Sequence, residues 1–209
     1  MSKNKHDPGT LGYRLMAPFM RPLFRLWYNP TIIDGDKIPK EGTIVLASNH
    51  KHVLDQCLQI IATKRPINYM AKKEYFEGKL KYFFKAAGCI CVNRNGHDSE
   101  ATRAALAVLE RQGAIGIFPE GTRNKTDAFM LPFKFGAVSL AKKTNALVVP
   151  IAVSGDFVFR SKNLVARFGD PFSVENMTIE EANAKLYEEV SKLLRQNLEM
   201  QEKKLKNIG

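Results

Sequence analysis

Cysteine is scarce in this chain. Only Cys57, Cys89 and Cys91 occur, an odd number without a secretory signal, which speaks against a disulfide framework and for reduced thiols in a cytosolic setting. Cys57 reads as core packing. Cys89 and Cys91 stand two apart and share a strand face, but no second ligand pair accompanies them, so no metal is assigned. Long apolar runs are missing as well. The longest stretch without Asp, Glu, Lys or Arg is the 12 residues Thr144 to Gly155, against the roughly 18–20 that a helix needs to cross a bilayer. Internal repeats are absent, and acidic residues are in deficit. Twenty-one Asp and Glu face 32 Lys and Arg, and the resulting +11 implies an anionic partner without choosing among nucleic acid, a membrane surface and a phosphorylated metabolite. No aromatic platform interleaves with a basic groove, which argues against nucleic acid.

What is present fits one globular domain: 209 residues, 44% of them apolar, suffice for a substantial core. Residues 1–30 differ in kind from residues 31–209. Leu11 to Tyr28 gathers Leu, Met, Phe, Trp and Tyr around only three charges, Arg14, Arg21 and Arg25, which on a helix fall within about 40° of one another. One cationic stripe on a wide apolar surface reads as an amphipathic helical arm for a membrane interface. The arginines would meet lipid phosphates, and Trp27 and Tyr28 would sit at headgroup level. The alternative is a helix packed on the domain's own core. Pro18 and Pro22 each remove a helix hydrogen bond and predict two short helices or a kink.

Beyond the arm, Gly, Pro and Asn punctuate short, β-branched apolar runs. Strands are predicted at Thr31 to Ile33, Thr43 to Ser48, Ile67 to Ala71, Cys89 to Asn93, Ala114 to Phe118, Leu147 to Val153 and Leu164 to Phe168. Helices are predicted at Val53 to Thr63, Tyr75 to Lys85, Asp98 to Gln112 and Phe135 to Lys143, with a long final helix opened by the capping-box spacing of Thr178 and Glu181. The alternation argues for an α/β fold: a single layered domain whose mostly parallel or mixed central sheet is flanked by helices. Ligand sites in such sheets gather at strand ends, and two polar motifs lie there.

The first motif is Asn49-His50-Lys51-His52-Val53-Leu54-Asp55. His50 and Asp55 would stand about 140° apart on a regular helix, so the pair works only if His50 lies in the turn before the helix and Asp55 in its first turns. The carboxylate then fixes one imidazole nitrogen, and the other can take a proton from a hydroxyl. His52, three before Asp55, can also form a helical pair, and spacing prefers neither histidine. A helix end capped by Ser48 or Asn49, with solvent-facing histidines, is the bland alternative.

The second motif is Phe118-Pro119-Glu120-Gly121-Thr122-Arg123. Gly121 permits close backbone approach, while Thr122 and Arg123 offer a hydroxyl and a guanidinium fork suited to phosphate. Glu120 would repel a phosphate and reads as orienting Arg123 or holding a substrate hydroxyl. Arg94, at another strand end, and Lys72 and Lys134 are further cations, each readable as a phosphate ligand or as surface charge.

This ordered set resembles the glycerolipid acyltransferase family, particularly its 1-acyl-glycerol-3-phosphate (lysophosphatidate) acyltransferases. His50 and Asp55 match the family's His-x-x-x-x-Asp dyad, Gly88 through Arg94 its second block, Phe118 through Arg123 its third, and Val149-Pro150-Ile151 its fourth, which lines the acyl region. Phe133-Lys134-Phe135-Gly136 and Ala71-Lys72-Lys73-Glu74 look like family-typical intervening segments. The likeness runs from about Ile32 to Phe168 and departs at His52 and Asn124, where Ser is frequent. The resemblance selects His50 over His52. It implies direct acyl transfer from acyl-CoA or acyl-carrier protein, as co-substrate, to the hydroxyl of lysophosphatidate, with no further cofactor and no acyl-enzyme. No Ser or Cys occupies a nucleophile elbow, in keeping with that. Glu120, Gly121, Thr122, Arg123 and Arg94 would serve the glycerol phosphate, and backbone amides near Gly121 or the Lys72 ammonium the oxyanion. The expected location is peripheral, on the cytoplasmic face of an anionic phospholipid membrane. Glycerol 3-phosphate or another lysophospholipid as acceptor, and a non-catalytic membrane-binding module, are the alternatives.

Overall fold

The computed structural model describes residues 11–93, 99–161 and 163–206. The chain runs α1 (Leu11–Tyr28), β1 (Thr31–Ile33), β2 (Ile44–Ser48), α2 (Asp55–Ala62), β3 (Asn68–Lys72), α3 (Lys81–Ala86), β4 (Ile90–Val92), α4 (Ser99–Glu110), β5 (Ala114–Ile117), α5 (Gly136–Thr144), β6 (Leu147–Ser154), β7 (Val165–Phe168) and α6 (Ile179–Lys206). The seven strands form one sheet in the order β1-β7-β6-β2-β5-β3-β4. From β6 to β4 all neighbours are parallel, and β7 joins β6 antiparallel. The sheet is mixed, as expected.

Its two faces explain the hydrophobic runs. β2 reads Ile-Val-Leu-Ala-Ser with every residue buried, because alternate side chains enter opposite layers. Val45 and Ala47 join one cluster with α4, α5 and α6, whereas Ile44 and Leu46 join the other with Phe24 of α1 and Leu58 of α2. The final helix opens on the expected capping box: Glu181 N–H donates to Thr178 Oγ1 at 3.1 Å, and Thr178 N–H donates to Glu181 Oε2 at 2.8 Å.

Three expectations need correction. The predicted helix Tyr75 to Lys85 is divided into a 3₁₀ turn at Lys73–Phe76 and the short α3, with Gly78, a poor helix former, in the gap. The N-terminal segment is one continuous helix through Pro18 and Pro22. Both prolines occupy exposed positions one turn apart, so the carbonyls they leave unbonded fall on the outward side, and the inward face is anchored independently. Tyr13, Ala17 and Phe24 are buried there.

Two of the three arginines also turn toward the body. Arg21 donates to the carbonyls of Ile60 and Thr63 at 3.0 and 2.8 Å, and Arg25 to that of Ile61 at 2.9 Å. These are the terminal carbonyls of α2, which no helical N–H can reach. Cationic groups there satisfy them and suit the negative end of the helix dipole. Arg21 and Arg25 therefore fasten α1 to the body, leaving Leu11, Leu15, Phe19, Leu23 and Leu26, at three- and four-residue spacing, exposed on the opposite side. Among the described residues no helix is long and apolar enough to cross a membrane.

Candidate active site

β2 and β5 are parallel neighbours with Ala47 paired to Ile117, so both motifs leave the sheet from the same edge, side by side. Asn49 anchors the first. Its side chain is buried and copies a strand residue: the amide donates to the Val153 carbonyl at 2.9 Å and its oxygen accepts from Val153 N–H at 2.8 Å. The ladder is extended by one side chain, and the backbone at His50 is placed at the strand's end.

Asp55, fully buried, sits in the first turn of α2 and gathers three donors on one oxygen. Its Oδ2 accepts from His50 Nδ1 at 2.8 Å, Lys51 N–H at 2.7 Å and His52 N–H at 2.8 Å. The two amides hold the carboxylate toward His50. Because a carboxylate only accepts, Nδ1 carries the proton and Nε2 is the nitrogen left for chemistry. The His50 ring also stacks on Phe118, centroids 4.0 Å apart and planes 16° off parallel. Tyr69 stands behind Phe118 in space that Gly116 leaves open, since a Cβ on residue 116 would lie 2.2 Å from the Tyr69 ring.

Of the two histidines, it is the ring of His50 that pairs with Asp55. The His52 ring is stacked on Phe157 at 4.2 Å, and its Nδ1 accepts from Leu54 N–H at 3.3 Å. Only its backbone serves Asp55. Neither Ser48 nor Asn49 caps α2: the preceding residue is Leu54, with no side-chain cap. Asp55 occupies the first turn, favourable for a negative charge.

The second motif begins with a turn in which Gly121 N–H donates to the Phe118 carbonyl at 2.9 Å, with Pro119 at the position a type I turn favours for proline. Gly121 has φ +71, the left-handed region that suits glycine. That bond occupies the Gly121 amide itself. Glu120 is buried and braces the first motif: Oε1 accepts from His50 N–H at 2.6 Å, and Oε2 from Leu131 N–H at 3.0 Å. Its hydrogen bonds thus go to backbone, where the sequence reading had it orienting Arg123 or holding substrate. Burial pushes its carboxyl above the usual 4.5, against the opposing pull of the two amides. Asn124 N–H closes the junction on the His50 carbonyl at 2.7 Å.

The cations lie around this frame. Arg123 is half-buried and Thr122 exposed beside it, and Lys72 is exposed at the end of β3 on the same sheet edge. Lys134 is laid across Gly121, where a Cβ would lie 3.0 Å from its Cε and Nζ, and its N–H donates to Pro119 at 2.8 Å. Arg94 lies outside the described residues. Sequence reasoning missed Asn49 as a strand-end anchor and Phe118 as the shelf under His50. A buried-type amide directly before the candidate base was the available signal for the first; the second had only its place at a strand end.

The acyltransferase family model matches residues 29–154. Over 165 residues the chain is 28% identical to the 1-acyl-sn-glycerol-3-phosphate acyltransferase of Bacillus subtilis (strain 168), covering 76% of this chain and 81% of that protein. It is 28% identical over 141 residues to the protein of the same name from Borreliella burgdorferi, covering 66% of this chain but 56% of that one. In fold it resembles the crystal structure of the 1-acyl-sn-glycerophosphate acyltransferase PlsC from Thermotoga maritima, with a TM-score of 0.73, 21% identity, and 88% and 78% of the two chains covered. The matched span contains the imidazole–carboxylate pair, the turn that carries Arg123 and the strands that present them. This chain belongs to the acyltransferase family.

Proposed function

We propose that the protein moves a fatty acyl group from acyl-CoA or acyl-carrier protein to the free hydroxyl of 1-acyl-glycerol 3-phosphate, giving phosphatidate for phospholipid synthesis. The observation that carries this reading is the 2.8 Å contact of His50 Nδ1 with Asp55 Oδ2, on the sheet edge that also bears Arg123, Lys134 and Lys72. The names of the bacterial relatives support the acceptor. His50 Nε2 takes the hydroxyl proton as the acceptor oxygen attacks the thioester carbonyl. The tetrahedral intermediate collapses with cleavage of the C–S bond, and the imidazolium returns the proton to the departing thiolate. Asp55 holds the ring and stabilises its cationic form, a role through which a positioned base contributes about 10²–10⁴ in rate. Arg123 and Lys134 hold the acceptor phosphate, while Lys72 steadies the carbonyl oxygen as it becomes negative. No cofactor beyond the thioester enters this chemistry.

The acceptor is a lipid, and the exposed stripe of α1 suits the surface where it resides: Leu15 is 65% and Phe19 78% exposed. Such an apolar face settles into the headgroup boundary of a bilayer. The protein accordingly works as a peripheral membrane enzyme on the cytoplasmic face. Purified protein incubated with lysophosphatidate, glycerol 3-phosphate or uncharged lysolipids, each with both thioester carriers, tests the reading. Phosphatidate formed from lysophosphatidate in preference to the other products is expected. Turnover confined to glycerol 3-phosphate would replace the acceptor, and vesicle binding without any acylated product would replace the function.

A further inference from the structure

Between β3 and β4 the chain builds a surface that neither the core nor the site explains. Residues 72–85 carry five lysines, Lys72, Lys73, Lys79, Lys81 and Lys85, against Glu74 and Glu77, and Lys73 pairs with Glu77 at 3.7 Å. Apolar side chains stand among them in the open. Tyr82 is 70% and Leu80 59% exposed, with Phe83 beside them. The aromatic rings here pack on one another: Tyr75 stacks on Phe84 at 4.9 Å, Phe83 meets Phe84 edge-on at 5.5 Å and Phe76 lies 5.9 Å from it. None of these six apolar side chains belongs to either core cluster or to the residues packed against one. An exposed apolar patch rimmed by charged side chains, here with lysines in excess over Glu74 and Glu77, marks an interaction surface.

Two placements identify its partner. Gly12 of α1 lies so close to α3 that a Cβ there would meet the Ala86 carbonyl at 2.4 Å, so α3 flanks the helix whose apolar stripe the proposed function assigns to lipid. The segment also begins at the site edge of the sheet, directly after Lys72 of β3. Aromatic side chains mixed with lysines match the headgroup region of an anionic bilayer, where rings take the interfacial level and ammonium groups meet phosphate. We propose that α3 and the 3₁₀ turn before it form a second membrane contact, which with α1 grips an anionic phospholipid surface at two points and fixes the orientation of the site mouth above it. This rests on the membrane reading of α1 and goes beyond it by assigning a separate element.

The chain has a single tryptophan, Trp27, next to the exposed stripe of α1, so fluorescence can address each element separately. The full chain is compared with a W27F/Y82W version on vesicles of phosphatidylglycerol and phosphatidylcholine, with and without brominated acyl chains. Blue-shifted emission and bromide quenching are expected from residue 27 in the first protein and from residue 82 in the second. Y82S/F83S should weaken vesicle binding by about tenfold or more, since two apolar side chains leave the interface, while turnover of detergent-dispersed substrate persists. A response at residue 27 with none at residue 82 overturns the second contact and leaves the first. Silence at both overturns both. Emission changes at residue 82 with purified acyl-carrier protein but not with vesicles would make the patch a protein-docking surface and overturn the proposal as well.

Discussion

The two halves of the site are built on opposite principles. On the side of the base the hydrogen bonds that aim the ring are made before substrate arrives, although Asp55 Oδ1 is buried without a partner among the described residues. Asp55 is sealed under three donors, the His50 ring is clamped by that carboxylate and by Phe118, and its backbone is held by Glu120 and Asn124. On the side of the cations, Lys72 and Lys134 are exposed, and among the described residues neither they nor Arg123 forms an ion pair. Proton transfer needs a ring already aimed, because reorientation during reaction would raise the barrier. Anion binding needs charges not yet neutralised, because a pre-formed ion pair would have to be broken by the ligand. The first half is therefore held in place by its own hydrogen bonds, and in the proposed function the second is left for the substrate to complete.

The largest effects should come from the rigid half. Asp55→Asn preserves volume but removes the charge that fixes the His50 tautomer, and His50→Ala removes the base. Each should lower kcat by about 10²–10⁴ while the Michaelis constant for the acceptor changes little. Circular dichroism of His50→Ala should remain that of the folded protein. Turnover within threefold of the parent in either variant would show that the base half does not perform the chemistry.

Effects on the cationic half should be smaller and should fall on a different parameter. Arg123→Gln and Lys134→Gln each remove a charge-assisted contact, of which one contributes about 1.5–3 kcal/mol, so the Michaelis constant for lysophosphatidate should rise tenfold or more. The constant for the thioester should move far less. Added salt should mimic these variants in the parent protein by screening exposed charges and leave kcat largely unaffected. Loss confined to kcat would mean that Arg123 and Lys134 belong to the rigid half, and the division would fail.

The same contrast marks what could be read from sequence. Strands were legible because a parallel sheet buried on both faces forces unbroken apolar runs such as Ile44–Ser48, and the dyad was legible because both its residues lie within one turn's reach. The direction of the α1 arginines was not. A cationic stripe suits lipid phosphate as well as the carbonyls at the end of α2, and only the packing of Tyr13, Ala17 and Phe24 decides between them. The backbone partners of Glu120 were hidden for a related reason. Its partners, His50 and Leu131, lie 70 and 11 residues away, and backbone donors leave no trace in residue identity.

Glu120 joins the halves, and the smallest effect is expected there. Burial raises its carboxyl pKa above 4.5 in the folded protein, so the native state holds this proton more tightly than the unfolded chain does. Linkage fixes the sign. The group's contribution to stability is fully present below its unfolded value and is lost as pH rises through its folded value. Glu120→Gln cannot titrate, so the stability of the parent relative to this variant, followed by urea midpoints from acid toward neutral pH, should decline across that window. A parent that instead gains on the variant as pH rises would mean that the His50 and Leu131 amides outweigh desolvation. Glu120 would then be a carboxylate favoured in its charged form, and its bond to the His50 backbone would count among the strong fastenings of the rigid half.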